Sequence, residues 1–198
     1  KNFEQFADKV EPEVLQAGLE AYKGKALVNS VNGEEAKIKA VLPMVAQYKS
    51  AVVALTMDDD GIPADVTTRL KIADKIINET TKLGIPIEDI IIDPLAMSVA
   101  SDDQSGLAAL DTLAQIRDKF GVNQTIGASN VSFGLPARRA INCVFLAMAI
   151  VNGLTCPITD PTVWEIRQTL LLTDLFHGKD DFAMNFIGAY RENFPEDD

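Results

Sequence analysis

The sequence predicts an α/β protein built on a parallel sheet, and three observations carry that prediction. Five short apolar runs are each followed by a stretch whose apolar residues recur at helical spacing. Runs such as Ala51 to Met57 and Ile90-Ile91-Ile92 are continuous rather than alternating, as in strands buried on both faces. Asn, Asp and Ser recur just past these runs, at the edge where right-handed crossovers gather all carboxyl ends.

In chain order, helical periodicity opens the sequence from about Phe3 to Tyr22, with Pro12 punctuating it. Lys25 to Ser30 reads as a short buried strand. Asn29, Ser30, Asn32 and Gly33 then form a loop into the helix Glu34 to Tyr48. Ala51 to Met57 is the second strand, followed by the acidic loop Asp58-Asp59-Asp60-Gly61 and a helix from about Asp65 to Leu83. The strand at Ile90-Ile91-Ile92 is stopped by Asp93-Pro94, and Ser105 to Phe120 is an amphipathic helix. Gln124 to Ala128 is the fourth strand, with Ser129-Asn130 at its carboxyl end and a largely apolar helix, Arg138 to Asn152, after it. Cys156 to Thr159 is the last strand. Helices near Val163 to Phe176 and Phe182 to Arg191 close the chain before an acidic tail.

An open doubly wound sheet and a (β/α)₈ barrel both satisfy this alternation. Neither G-x-G-x-x-G nor G-x-x-x-x-G-K-[ST] occurs, which tilts the balance toward a barrel. Yet five units are too few to close a barrel of eight.

Composition narrows the function classes. Eighteen basic against 29 acidic residues leave a net charge of −11, so phosphate backbones and anionic membranes are repelled. No apolar run reaches the roughly 20 residues of a membrane span, and the mixed start Lys-Asn-Phe-Glu-Gln is not a secretion signal. Two cysteines without a scaffold pattern fit a reducing cytoplasm. The partners expected are therefore a small ligand and a docking protein, with no nucleic acid and no membrane.

Residues at the strand ends are the candidates for chemistry: Asn29 and Ser30, Asp58, Asp93, Ser129 and Asn130, and Asp160. Asp, Asn and Ser also cap helices that follow strands. Asp58, in its acidic loop, and Asp160, before a Pro-Thr pair that starts a helix, are assigned to that structural role. Asp93 differs, because Pro94 pushes it toward extended backbone and a carboxylate at a buried strand's mouth needs hydrogen bonds. A ligand with adjacent N–H donors, such as the amino-pyrimidinone edge of a pterin, supplies a bidentate pair. Metal chemistry has no ligand set. His177 is the single histidine and reads as a helix-end residue, while Cys143 and Cys156 have no second pair. There is no G-x-S-x-G elbow and no D-x-H-x-x-G corrinoid loop, so the chain carries neither an evident covalent nucleophile nor a corrinoid of its own.

Three segments in order go beyond pattern: Leu27-Val28-Asn29-Ser30, Ile92-Asp93-Pro94-Leu95, and Ile126-Gly127-Ala128-Ser129-Asn130-Val131-Ser132-Phe133. They resemble the pterin-binding methyltransferases, namely methyltetrahydrofolate:corrinoid/iron–sulfur protein methyltransferase and the folate module of cobalamin-dependent methionine synthase. Ser-Asn-Val-Ser-Phe is the most specific of them, and the resemblance runs from about Glu13 to the last helices. It implies a (β/α)₈ barrel of the dihydropteroate synthase-like type, with the pterin in its carboxyl-end mouth. It also implies that Asn29 and Asp93 hold the pterin and that Asn130 contacts the nitrogen bearing the methyl group. A tetrahydrofolate-type pterin as substrate, a corrinoid carried by a partner protein and a homodimer follow in the same way. Dihydropteroate synthase itself has Ser-Arg-Lys where this chain has Ser129-Asn130-Val131, which argues against that activity.

The family has three further strands ahead of the matching segment, one ending in another pterin-gripping aspartate. On the resemblance, residues 1–198 therefore read as one pterin-binding barrel domain lacking its first strands. A pterin-holding barrel without turnover is the competing reading.

Overall fold

In the computed structural model, which describes residues 12–195, the chain forms two units. Residues up to Asp93, with Gly121–Asn123, make the first, and Pro94–Phe120 with the residues from Gln124 onward make the second. The part of the opening helix expected before Pro12 lies outside the described residues.

The first unit carries α1 (Pro12–Ala21), β1 (Leu27–Val31), α2 (Glu35–Gln47), β2 (Ala51–Leu55), α3 (Val66–Lys82) and β3 (Ile90–Asp93). Its strands are parallel neighbours, β1 on β2 and β2 on β3. Val53 pairs with both Asn29 and Ile91, and Leu55 pairs with Asp93. Side chains alternate across a strand, so Asn29, Val53, Ile91, Leu55 and Asp93 share one face. Val28, Val52, Ala54, Ile90 and Ile92 occupy the other face and are buried. The helices pack on the strands there, α2 on β1 and α3 on β2 and β3.

Those helices show why. In α2, Ile38, Val41, Leu42 and Val45 fall at the spacing of one helical stripe, and all are buried. In α3 the buried positions are Arg69, Ile72, Ala73, Ile76, Ile77 and Thr80, again one stripe. Asp65 caps α3, its carboxylate accepting the Thr68 N–H at 2.8 Å. That bond is the main reason its carboxyl sits below the ordinary aspartate range.

The second unit holds α4 (Ser105–Phe120), β4 (Asn123–Gly127), α5 (Arg138–Val151), β5 (Cys156–Ile158), α6 (Trp164–Phe176) and α7 (Met184–Asn193). β4 and β5 are parallel, with Thr125 opposite Cys156 and Gly127 opposite Ile158. Its core joins Leu113, Ile126, Phe145, Leu146, Leu154 and Ile166. Gln124 is fully buried and its amide bridges two carbonyls, donating to Leu113 and to Gly153 at 3.0 Å each. Trp164 stands edge-on to Phe194 and Tyr190, pinning α7 to α6.

The five strands and the helices between them fall within two residues of where hydrophobic pattern placed them. Asp160 departs from expectation. Its carboxylate accepts the N–H and hydroxyl of Thr162, at 2.9 and 2.7 Å, closing a turn of its own, and the helix opens later at Trp164. Asp58 keeps to its loop, where Oδ1 accepts the Asp60 N–H at 3.1 Å and the backbone pairs with Gly61.

Candidate functional site

The carboxyl edge of the first unit begins with β1. At Asn29 the pairing with β2 changes register before Val31, and the Asn29–Ser30 peptide is cis. The following loop is held from several sides. Asn32 accepts the Glu34 N–H at 3.1 Å, Gly33 N–H donates to Met57 O at 2.7 Å, and Lys75 Nζ donates to Gly33 O at 2.6 Å. Gly33 has no room for a side chain, since a Cβ would stand 2.9 Å from Ile72 Cγ2 and 3.1 Å from Met57 O.

Asp93 ends β3 with 7 % of its surface exposed. Its carbonyl accepts the Thr56 N–H at 3.0 Å and the Thr56 hydroxyl at 3.2 Å, tying the ends of β2 and β3 together. The next helix opens only at Ser105, so Asp93 is not its N-cap. Leu95, two residues on, takes a left-handed backbone (φ 63°), uncommon for a residue with a side chain.

Pattern reading passed over Arg69. It lies in the first turn of α3, at the same carboxyl edge, and is 2 % exposed. Its Nε donates to Pro63 O at 2.7 Å. Burial pushes the guanidinium below its ordinary pKa, while the charges of Asp65 and Asp93 push it back up. A buried arginine requires nearby anions, and Asp93 is the buried one of the two. The signal was present in the sequence: continuing the stripe of Ile72, Ala73, Ile76 and Ile77 back by one turn lands on residue 69.

The second unit presents Asn130 within a 3₁₀ turn, Ala128–Ser132, directly after β4. Val131 and Ala128 of this turn are buried in the core, while Asn130 is exposed. Arg138, the first residue of α5, donates to Ser129 O from Nη2 at 3.0 Å and to Ser132 Oγ from Nε at 3.1 Å. Ser98 Oγ donates to Phe133 O at 2.6 Å, and Val99 N–H donates to Val131 O at 3.1 Å. The helix that follows, α5, takes Ala137 as its N-cap, so Asn130 does not cap it.

Asn29 and Asp93 thus occupy one face of one sheet at its carboxyl edge, and Asn130 occupies the carboxyl end of β4 in the second unit. Chemically, Asp93 offers a carboxylate acceptor, and Asn29 and Asn130 each offer an amide able to donate and accept. Among the described residues no group of three or more His, Cys, Asp or Glu is placed to hold a metal ion. None of the described helices is long and apolar enough to cross a membrane.

Comparison with known proteins adds to this geometry. A family described as pterin binding enzyme matches residues 6–160. The methylcorrinoid:tetrahydrofolate methyltransferase of Eubacterium limosum is 31% identical over 188 residues, covering 93% of this chain and 69% of that enzyme. The methionine synthase of Mycobacterium leprae is 36% identical over 164 residues, which is 76% of this chain but 14% of the synthase. Among solved structures, a Clostridium difficile dihydropteroate synthase determined with pteroic acid superposes with a TM-score of 0.66. Its identity is 20%, over 84% of this chain and 64% of its own. The Yersinia pestis dihydropteroate synthase gives a TM-score of 0.65 at 16% identity, over 86% of this chain and 65% of that one. This chain spans just under two thirds of the length of both solved synthases. These likenesses identify the fold as that of the dihydropteroate synthase barrels.

Proposed function

On the premise that this chain belongs to the pterin-binding enzyme family, we propose that it moves a methyl group between a tetrahydrofolate-type pterin and the cobalt of a separate corrinoid protein. One observation supports this reading above the others. The Ala128–Ser132 turn presents an asparagine at the carboxyl end of β4, where the dihydropteroate synthase sequence has an arginine. An amide suits a nitrogen that gains and loses a methyl group, because it can accept from the protonated form and donate to the free one.

A tertiary amine is a poor leaving group, so the nitrogen must be protonated or hydrogen-bonded as the carbon–nitrogen bond breaks. The methyl carbon leaves with its bond to nitrogen broken, the electron pair stays on nitrogen, and a proton from water completes the secondary amine. A reduced corrinoid carried by the partner would supply the electron pair for the new bond to the methyl carbon. Asn130 cannot be the proton source at neutral pH and acts by hydrogen bonding. Asp93 would accept from the amino-pyrimidinone edge and Asn29 would add a contact on the same face, the two orienting the methyl group toward the incoming nucleophile.

The finer readings go with this proposal. A groove of about 520 Å³ between α4 and α5 is walled by Leu107, Leu110, Val144 and Met148, and such an apolar face supports pairing of two copies. Cys143 and Cys156 are free thiols, which fits a cytoplasmic protein. The net charge of −11 favours a corrinoid protein over nucleic acid as the docking partner.

The test is calorimetric titration of the intact protein with methyltetrahydrofolate and with its methanopterin counterpart, followed by transfer to added cob(I)alamin. Saturable binding of one pterin with methyl transfer is expected. Binding of neither pterin removes the proposal, and binding without transfer converts the protein to a pterin holder.

A further inference from the structure

We propose that Arg138 is a positioning residue for methyl transfer, holding the Ala128–Ser132 turn in the one shape that presents Asn130 to the pterin. This deepens the function proposed above and rests on it.

The turn is short and irregular. The 3₁₀ turn is closed at its end by Phe133 N–H donating to Asn130 O and Leu135 N–H donating to Ser132 O, and its serine hydroxyls lie outside that backbone pattern. Arg138 reaches across from the next helix and bonds to both sides of Asn130. Nη2 takes the carbonyl of Ser129, the residue before it, and Nε takes the hydroxyl of Ser132, two residues after it. The Ser132 hydroxyl in turn donates to Ser129 O at 3.3 Å, so the three groups close a ring around the asparagine. The planar fork of a guanidinium can bridge two acceptors at fixed spacing, and an ammonium cannot do so with the same geometry. The Arg138 guanidinium also lies 5.9 Å from the centre of the Phe133 ring, at the far end of the turn.

The backbone between turn and helix is bent to permit this. Gly134 has φ 82° and Ala137, the residue before Arg138, has φ 52°. A left-handed alanine is unfavourable and persists only where its surroundings hold it. Here the chain doubles back so that the first side chain of α5 returns to the turn it has just left. Opposite Arg138, Ser98 and Val99 grip Phe133 and Val131 through the bonds already described. Asn130 is thus carried on a turn held from two sides, yet its own amide stays exposed. A group meant only to stabilise the fold would not need an exposed asparagine at the centre of so many bonds.

Single-turnover transfer from methyltetrahydrofolate to cob(I)alamin, with methyltetrahydrofolate affinity and thermal melts on the same samples, tests the idea. The set is Arg138→Met, Arg138→Lys, Asn130→Ala and the double variant Asn130→Ala/Arg138→Met. Arg138→Met should slow transfer by about 10- to 100-fold, the size of effect expected when a reacting contact is displaced by an ångström or less. Affinity should change far less, and added guanidinium ion should restore part of the rate. Because Arg138 acts through Asn130, the double variant should be no slower than Asn130→Ala alone. Two full losses multiplied in the double variant, or an unaltered rate in Arg138→Met, overturn the proposal while leaving the role of Asn130 standing. If Arg138→Met folds poorly, Arg138→Lys decides, and a wild-type rate there also overturns it. A wild-type rate in Asn130→Ala sinks this proposal and the catalytic reading of Asn130 together.

Discussion

The side-chain amide of Asn130 folds back over Gly127, so closely that a Cβ on Gly127 would stand 3.1 Å from Asn130 Nδ2. Gly127 closes β4 with φ −73°, a backbone that any residue adopts. The glycine is therefore needed for space rather than for conformation. Gly127→Ala should leave the melting temperature unchanged or slightly raised, since it removes freedom from the unfolded chain. The displaced amide should slow methyl transfer by about tenfold or more. Melts and single-turnover rates on one preparation separate the two effects. An unchanged rate would show that the amide position does not matter to the chemistry.

Asn130→Ala addresses the same group directly. If its hydrogen bond strengthens as the carbon–nitrogen bond breaks, the rate should fall by about 10² or more while pterin affinity changes less. A normal rate per folded molecule with a lowered melting temperature would return Asn130 to a structural role.

Asp93 and Arg69 should fail together. Asp93→Asn should weaken pterin binding by roughly 1.5 to 3 kcal/mol through loss of a charge-assisted contact. It should also lower the melting temperature, because it removes the charge of a buried neighbour of the arginine. Arg69→Met should destabilise by about 3 kcal/mol, read from denaturant unfolding. Arg69→Met melting like the parent protein would mean that Arg69 contributes nothing net to the fold.

Gly33→Ala is expected to be costly for a different reason. Its new methyl would meet a backbone carbonyl, Met57 O, at 3.1 Å, as well as Ile72, and a carbonyl in a tied loop cannot move aside. Overpacking of this kind costs about 1 to 3 kcal/mol. The loop holding Asn29 should loosen, seen as faster amide exchange at Asn32 to Glu34. Exchange unchanged from the parent protein would show that the loop absorbs the methyl.

Much of this architecture is legible in the sequence. The strands at Ala51–Leu55 and Ile90–Asp93 declare themselves because a β-branched run bounded by turn residues has few other uses. Closure was not readable, because an open sheet and a barrel share every local signal and differ only in which edges meet. Asn29, Asp93 and Asn130 were each visible as polar residues past an apolar run. Arg69 was not, since an arginine between Thr68 and Leu70 looks like any solvated helix position until the stripe is counted back to it. Arg138 escaped for a converse reason. It is the start of a helix in sequence, and only the left-handed turn at Ala137 returns it to Ser129 and Ser132, on either side of Asn130.

Buried Gln124 offers a check on the second unit that involves no ligand. Gln124→Leu keeps most of the volume but removes the side-chain donor shared by Leu113 O and Gly153 O, along with a buried Oε1 that has no partner of its own. Each lost hydrogen bond costs about 0.5 to 1.5 kcal/mol and outweighs the relief of that one oxygen, so the variant should unfold at lower denaturant. An unaltered midpoint would mean that other donors take over.

Trp164 is the sole tryptophan of the chain, and it lies against Phe194 and Tyr190, with the Arg167 guanidinium 5.9 Å from its ring. Among the described residues, its aromatic partners belong to the last helix or the residue after it. Intrinsic emission is consequently a gauge of one seam, α6 against α7. Excited at the red edge of the indole band, the protein reports whether its C-terminal helix is seated. A fluorescence transition that precedes the far-ultraviolet circular dichroism transition would mark that helix as the first part to let go.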